Sequence, residues 1–175
     1  MFIKQVSVFV ENESGNMADV LGVLGKNGVD ISALSIADKT DFGILRLIVS
    51  DPEKAVSILK EEGMIVKLTD VLAVGIEDKS GSLAKVLDVL KTADVAIEYL
   101  YAFIGKSEHG ALVIIRADKP EVAIKALTAN NIALVDAKEI YIEALKNTKT
   151  YTMDMDMEMA MTAENESIAV KIGLD

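Results

Sequence analysis

VSVFVENESGNMADVLGVL, residues 6–24, recurs 66 residues later as LAVGIEDKSGSLAKVLDVL, residues 72–90. Gly15 falls on Gly81 and Ser14 on Ser80, while Met17, Val20, Leu21 and Leu24 fall on Leu83, Val86, Leu87 and Leu90. Further along, VDISAL from Val29 matches VAIEYL from Val95 at the same spacing. FGILRLIVSDPEKAVSIL then matches HGALVIIRADKPEVAIKAL once a residue or two enters the turns. Self-similarity of this kind marks a structural unit used twice.

Each copy reads the same way. Lys4 to Asn12 is β-branched and alternating, the pattern of a strand. Ser14-Gly15-Asn16 then turns the chain into a helix whose apolar residues Met17, Val20, Leu21 and Leu24 fall on one face. Lys26-Asn27-Gly28 ends that helix, with Gly28 suited to the left-handed cap. Two strands, Val29 to Ala37 and Phe42 to Ser50, follow around a polar turn. Asp51-Pro52 opens a second helix as cap and first-turn proline, with Ala55, Ile58 and Leu59 facing inward, and Gly63 stops it.

The order is therefore βαββαβ, twice, an α+β fold with an antiparallel sheet and helices on one face. Residues 1–70 form the first repeat, 71–144 the second and 145–175 a tail. The last strand of the second copy is expected at Lys138 to Glu143, in the place of Asp70 to Gly75. Val71 to Ile76 serves both copies, and no Gly/Ser/Pro linker intervenes, so the units are expected to sit rigidly side by side.

The chain of 175 residues carries a formal charge of -10 and no Lys/Arg cluster, which argues against nucleic acid and anionic membrane surfaces as partners. It has no cysteine, so disulfides and thiolate chemistry are excluded. The alternating start MFIKQVSVFVENE does not have the form of a signal peptide, and no apolar run reaches the ~20 residues of a membrane helix. The expected compartment is the cytoplasm.

The strand–Asn/Asp-x-x-Gly–helix signature, carried as Glu11-Asn12-Glu13-Ser14-Gly15 and again as Glu77-Asp78-Lys79-Ser80-Gly81, resembles that of the ACT domain. The resemblance spans Met1 to Ala144. It implies tandem ferredoxin-like units that pair side by side and bind an amino acid or similar small carboxylate effector at an interface. It also implies a regulatory role beside an enzyme of amino-acid metabolism.

The residues explain how such a loop binds. The turn at Ser14-Gly15 presents the N–H groups of Gly15, Asn16 and Met17 at a positive helix end, which suits a carboxylate. Asn12 can hold either end of an amino acid, and Asp30, beside Ile31, can pair with an ammonium. The expected site is thus Asn12, Glu13, Ser14, Gly15, Asn16, Met17, Asp30 and Ile31. The second copy has Asp78 for Asn12 and Ala96 for Asp30, so Ser80, Gly81, Ser82 and Ile97 complete a weaker site with Asp78. The same residues also read as helix caps with nothing bound.

Catalysis finds no support. Gly22-x-x-Gly25-Lys26 has the wrong spacing for a phosphate loop, and His109, the single histidine, falls in a hairpin turn. No metal site and no cofactor are expected. In the tail, Tyr151 and the methionines 153, 155, 157, 159 and 161 alternate with polar residues, as in a strand with one methionine face. That tail is read as a hairpin with Ser167 to Leu174 or as disordered, and a soft-metal ladder is the weaker reading. A homodimer is expected because a two-unit sheet leaves edges. The function so read is a ligand-binding regulatory protein, and the alternative is a ligand-free interaction module.

Overall fold

A computed structural model describes residues 2–11, 13–38, 42–102 and 110–140. The first unit runs β1 (Ile3–Glu11), α1 (Asn16–Lys26), β2 (Ile31–Asp38), β3 (Phe42–Val49) and α2 (Pro52–Glu61) into β4 (Ile65–Ile76). The second continues from β4 through α3 (Ser82–Thr92), β5 (Ile97–Ala102), β6 (Ala111–Ala117) and α4 (Pro120–Ala129) to β7 (Ala133–Val135). The strands form one sheet in the order β2-β3-β1-β4-β6-β5, with β7 also paired to β4, and every pairing is antiparallel.

The tandem ferredoxin-like reading follows from β4. Residues 65–71 pair with β1 and close the first unit, while residues 72–76 pair with β6 and open the second. One strand of 12 residues is thus the seam. Its run VLAVGI is apolar on both faces, as a strand buried on both sides requires. Even the bulges repeat, at Ile31/Ala33 in β2 and at Ile97/Tyr99 in β5.

On one face lie the helices. Val20 and Leu24 of α1 and Ala55 and Leu59 of α2 pack on Val6, Val8, Leu45 and Leu47. Val86, Leu90, Ala123 and Leu127 repeat this over Leu72, Val74, Val113 and Ile115. Each fully buried leucine in these stripes contributes on the order of 2 kcal/mol relative to an exposed one. Asp51 caps α2 by accepting from the Lys54 N–H at 3.0 Å, ahead of Pro52, in keeping with the sequence pattern.

The helix-free face is buried as well. Gln5 of β1 donates through Nε2 to the Tyr99 hydroxyl at 3.0 Å and accepts from the Tyr101 hydroxyl at 3.1 Å, although both tyrosines lie on β5. In a flat sheet, three strand spacings would hold β1 and β5 about 14 Å apart. The sheet therefore curls, and its two helix-free faces meet around Ile3, Ala33, Ile48, Val71, Ala73, Leu112, Ile114 and Val135. Tyr101 is inside this cluster, and burial first, then Tyr99, raises its phenol well above the ordinary range.

The expected last strand at Lys138 to Glu143 is corrected. The final strand among the described residues is Ala133–Val135, and residues 137–140 form a helical turn. In the first unit the equivalent run continues because β4 goes on into the second unit. Here Asp136 ends the extension: its Oδ1 accepts from the N–H groups of Lys138 at 2.8 Å and Glu139 at 3.0 Å. The turn carries Ile140 onto the inter-unit cluster. The tail hairpin, residues 141–144, and the His109 turn lie outside the described residues.

Candidate functional site

The two strand-to-helix loops are built alike. Gly15 occupies the N-cap of α1 at φ 101° and Gly81 that of α3 at φ 86°, and no side chain caps either helix among the described residues. Ser14 is thus not the cap. A Cβ at Gly15 meets nothing within 4 Å, so the residue is fixed by its left-handed backbone and not by crowding. Among the described residues nothing fills the space in front of Gly15.

That space is a cavity of about 620 Å³ between the end of β1, the first turns of α1, the start of β3 and the α2–β4 turn. Its polar groups are Glu11, Asn16 and Asp19; its apolar walls are Phe9, Val20, Phe42, Met64 and Ile65. Asn16 bridges the loop by donating through Nδ2 to the Glu11 carbonyl at 3.2 Å. β4 begins opposite Phe9, so Val10 and Glu11 run on past it and give the cavity a backbone wall. Phe9, Phe42 and Ile65 are 40%, 39% and 70% exposed, an unusual concentration of large apolar side chains at one mouth.

The second unit has the same cavity in reduced form. It is about 300 Å³, lined by Gly75, Ile76, Glu77, Ser82, Lys85, Val86, Asn131, Ile132 and Ala133. Phe9 has become Gly75 and Ile65 has become Ala133. Gly110, which stands where the first unit has Phe42, is packed on the loop backbone, and a Cβ there would lie 2.5 Å from the Ile76 carbonyl oxygen. Charge reverses too. Glu13 and Asp19 of the first unit correspond to Lys79 and Lys85 of the second. Lys79 sits 3.0 Å from Glu77, and its hydrogen bond holds the Glu77 carboxyl below the ordinary range.

Of the residues expected in the first site, Glu13, Ser14, Gly15, Asn16 and Met17 share the β1–α1 loop, and Asn16 lines the cavity. Met17 is 43% exposed and does not join the buried stripe of α1. Asn12 lies outside the described residues. Asp30 and Ile31 are not brought there within the unit. They stand at the far end of the sheet, where the Asp30 N–H donates to Ser50 Oγ at 3.1 Å. The length of β3, eight residues, separates the two ends by roughly 25 Å. In the second unit Asp78, Ser80 and Gly81 are exposed on the loop, Ser82 lines the cavity, and Ile97 is again at the far end. Glu11, Asp19, Phe42 and Met64 were not anticipated. Their signal lay in the topology: in a βαββαβ unit the fourth strand starts beside the end of the first.

Among the described residues there is no group of three or more metal-ligating side chains, and no helix is long and apolar enough to cross a membrane. The profile of a family described as an ACT domain pair matches residues 1–144. A solved structure from Bacteroides thetaiotaomicron is 42% identical over 81% of this chain and 96% of its own, with a TM-score of 0.75. The ligand-free regulatory subunit of aspartate kinase from Thermus thermophilus is 19% identical over 72% of this chain and 91% of its own, with a TM-score of 0.52. That from Thermus flavus is 17% identical, covering 72% and 90%, at 0.50. These two share the fold. Comparison with curated proteins finds no match.

Proposed function

Since the chain belongs to the family of paired ACT domains, we propose that it is a regulatory protein whose first-unit cavity binds an amino acid. The observation that carries this reading is the cavity itself, an open chamber of about 620 Å³ at a helix start that no described side chain caps, lined by both carboxylates and apolar side chains. A free amino acid has three demands. Its carboxylate is met by the N-terminal N–H groups of α1, which no side chain caps among the described residues, and by the positive end of the helix. Its ammonium is met by Glu11 and Asp19. An apolar side chain is met by Phe9, Phe42, Met64 and Ile65.

The charge reversal in the second unit supports the first as the better site, because Lys79 and Lys85 repel an ammonium. The fold of aspartate kinase regulatory subunits is consistent with an enzyme of amino-acid metabolism as the regulated partner. No catalytic role is assigned. The cytoplasm remains the proposed compartment.

The test is thermal melting of the full chain against each amino acid in millimolar excess. A ligand that binds only the folded state raises its stability by about 2.7 kcal/mol at a hundredfold excess over Kd. We expect one chemical class, apolar side chains, to raise the midpoint, and Asn16→Ala to reduce the shift. A flat panel rejects the reading.

One observation favours a second reading, a pairing module. Among the described residues β2 is an edge of the sheet, and it exposes Leu34 and Ile36 at 41% and 48%. An edge of that kind suits a homodimer, which sedimentation of the full chain tests directly.

A further inference from the structure

The chain has two arginines, Arg46 and Arg116, and both line one cavity. It lies on the helix-free side, about 190 Å³ in volume, where the curled sheet brings the two units face to face. Arg46 comes from β3, Ser7 from β1 and Lys67 from β4, and the ladders set them in a single row, Arg46 beside Ser7 beside Lys67. Neighbours in such a row have their Cβ atoms about 5 Å apart. From the other unit come Tyr99 and Glu98 of β5 and Arg116 of β6.

The guanidinium of Arg46 lies over Tyr99, 4.1 Å from the ring centroid, which holds it in place and leaves its N–H edge for a ligand. Arg116 is anchored by donating through Nη1 to the Asp70 carbonyl at 2.8 Å, and Glu98 approaches its Nε at 3.6 Å. Among the described residues no carboxylate pairs with Arg46 or Lys67. Three cations and one anion thus surround a small chamber in a protein of net charge -10.

The fold does not require these charges. The repeat supplies its own control, because the same ladder row in the second unit is Ile114, Ala73 and Val135. Tyr99 and Arg116, which face each other across β5 and β6, correspond to Ala33 and Ile48 across β2 and β3. All five equivalents are buried in the apolar inter-unit cluster. The same architecture therefore closes one end of the inter-unit space with an apolar core. At the other end it gathers three cations against one carboxylate, an excess of positive charge that a bound anion would neutralise.

We propose that this inter-unit cavity is an anion site, taking a small organic anion through a phosphate or carboxylate group held by Arg46, Lys67 and Arg116. Ser7 and Thr69 add hydroxyl donors to the same wall. The site shares only the wall residue Phe9 with the β1–α1 cavity, and its cations do not line that cavity, so the proposal does not rest on the amino-acid reading. Because its cations come from both units, an anion there clamps the units together.

The test is melting of the full chain with inorganic phosphate and, separately, with succinate, each against sodium chloride at matched ionic strength. At least one of the two is expected to raise the midpoint saturably beyond the chloride control, and which one does so distinguishes a phosphorylated ligand from a carboxylate. Lys67→Gln, on an exposed side chain, is expected to weaken the apparent affinity about tenfold, the loss of one charge-assisted hydrogen bond. Arg46→Gln does the same. Asn16→Ala, in the other cavity, leaves the affinity unchanged. If neither anion exceeds chloride, or if Lys67→Gln binds as tightly as the parent, the site does not exist.

Discussion

Among single residues, the same amino acid does different work in the two copies. Gly15 and Gly110 both have positive φ, 101° and 92°. Only Gly110 is also crowded, since a Cβ on it would stand 2.5 Å from the Ile76 carbonyl oxygen, while Gly15 faces open space. Gly15→Ala should therefore cost only the left-handed backbone penalty, about 1–2 kcal/mol. Gly110→Ala should cost more, since the strand-to-helix backbone of the second unit must also move. Denaturant midpoints of the two variants check the order, and equal losses would contradict it. Elsewhere the left-handed positions are not glycine-bound: Gly28 and Gly63 of the first unit are replaced by Asp94 and Asn131. Asp94 is held by Lys119, whose Nζ lies 2.7 Å from the carboxylate and whose hydrogen bond keeps that carboxyl below its ordinary range.

Among the strands and helices, what the sequence revealed was whatever a local pattern determines. Period-two alternation found β1, the Val20–Leu24 spacing found α1, and Asp51-Pro52 found the start of α2. The repeat then fixed the order of strands, since two equal βαββαβ units sharing residues 71–76 leave few ways to pair. What stayed hidden depended on distant partners. The end of β7 is set by Asp136, whose carboxylate accepts from the N–H groups just beyond it, and no local signal at Lys138 announces it. Asp30 reads as a ligand beside the loop in sequence, yet α1 carries the chain back along the sheet, so β2 begins at the opposite end. The walls contributed by Met64 and Ile65 appear once β4 is set beside the end of β1, and the convergence of Arg46 with Arg116 only once the sheet has curled.

Across the full fold, β4 ties the units into one cooperative body. Leu59 and Leu127 are fully buried in different units. Truncating either to alanine should cost about 2–5 kcal/mol and lower one shared transition. A melt that splits into two steps would show that the seam does not couple the units. The proposed site in the first-unit cavity is open to direct test by chemical-shift mapping of backbone amides in the full chain. The probe is whichever amino acid stabilises the protein most in the melting panel. Saturable shifts are expected to centre on Gly15, Asn16, Met17 and Gly63, with the equivalent Gly81, Ser82 and Asn131 moving less. Shifts centred instead on the second unit, on the start of β2 or on the helix-free face would contradict an amino-acid site at the β1–α1 loop.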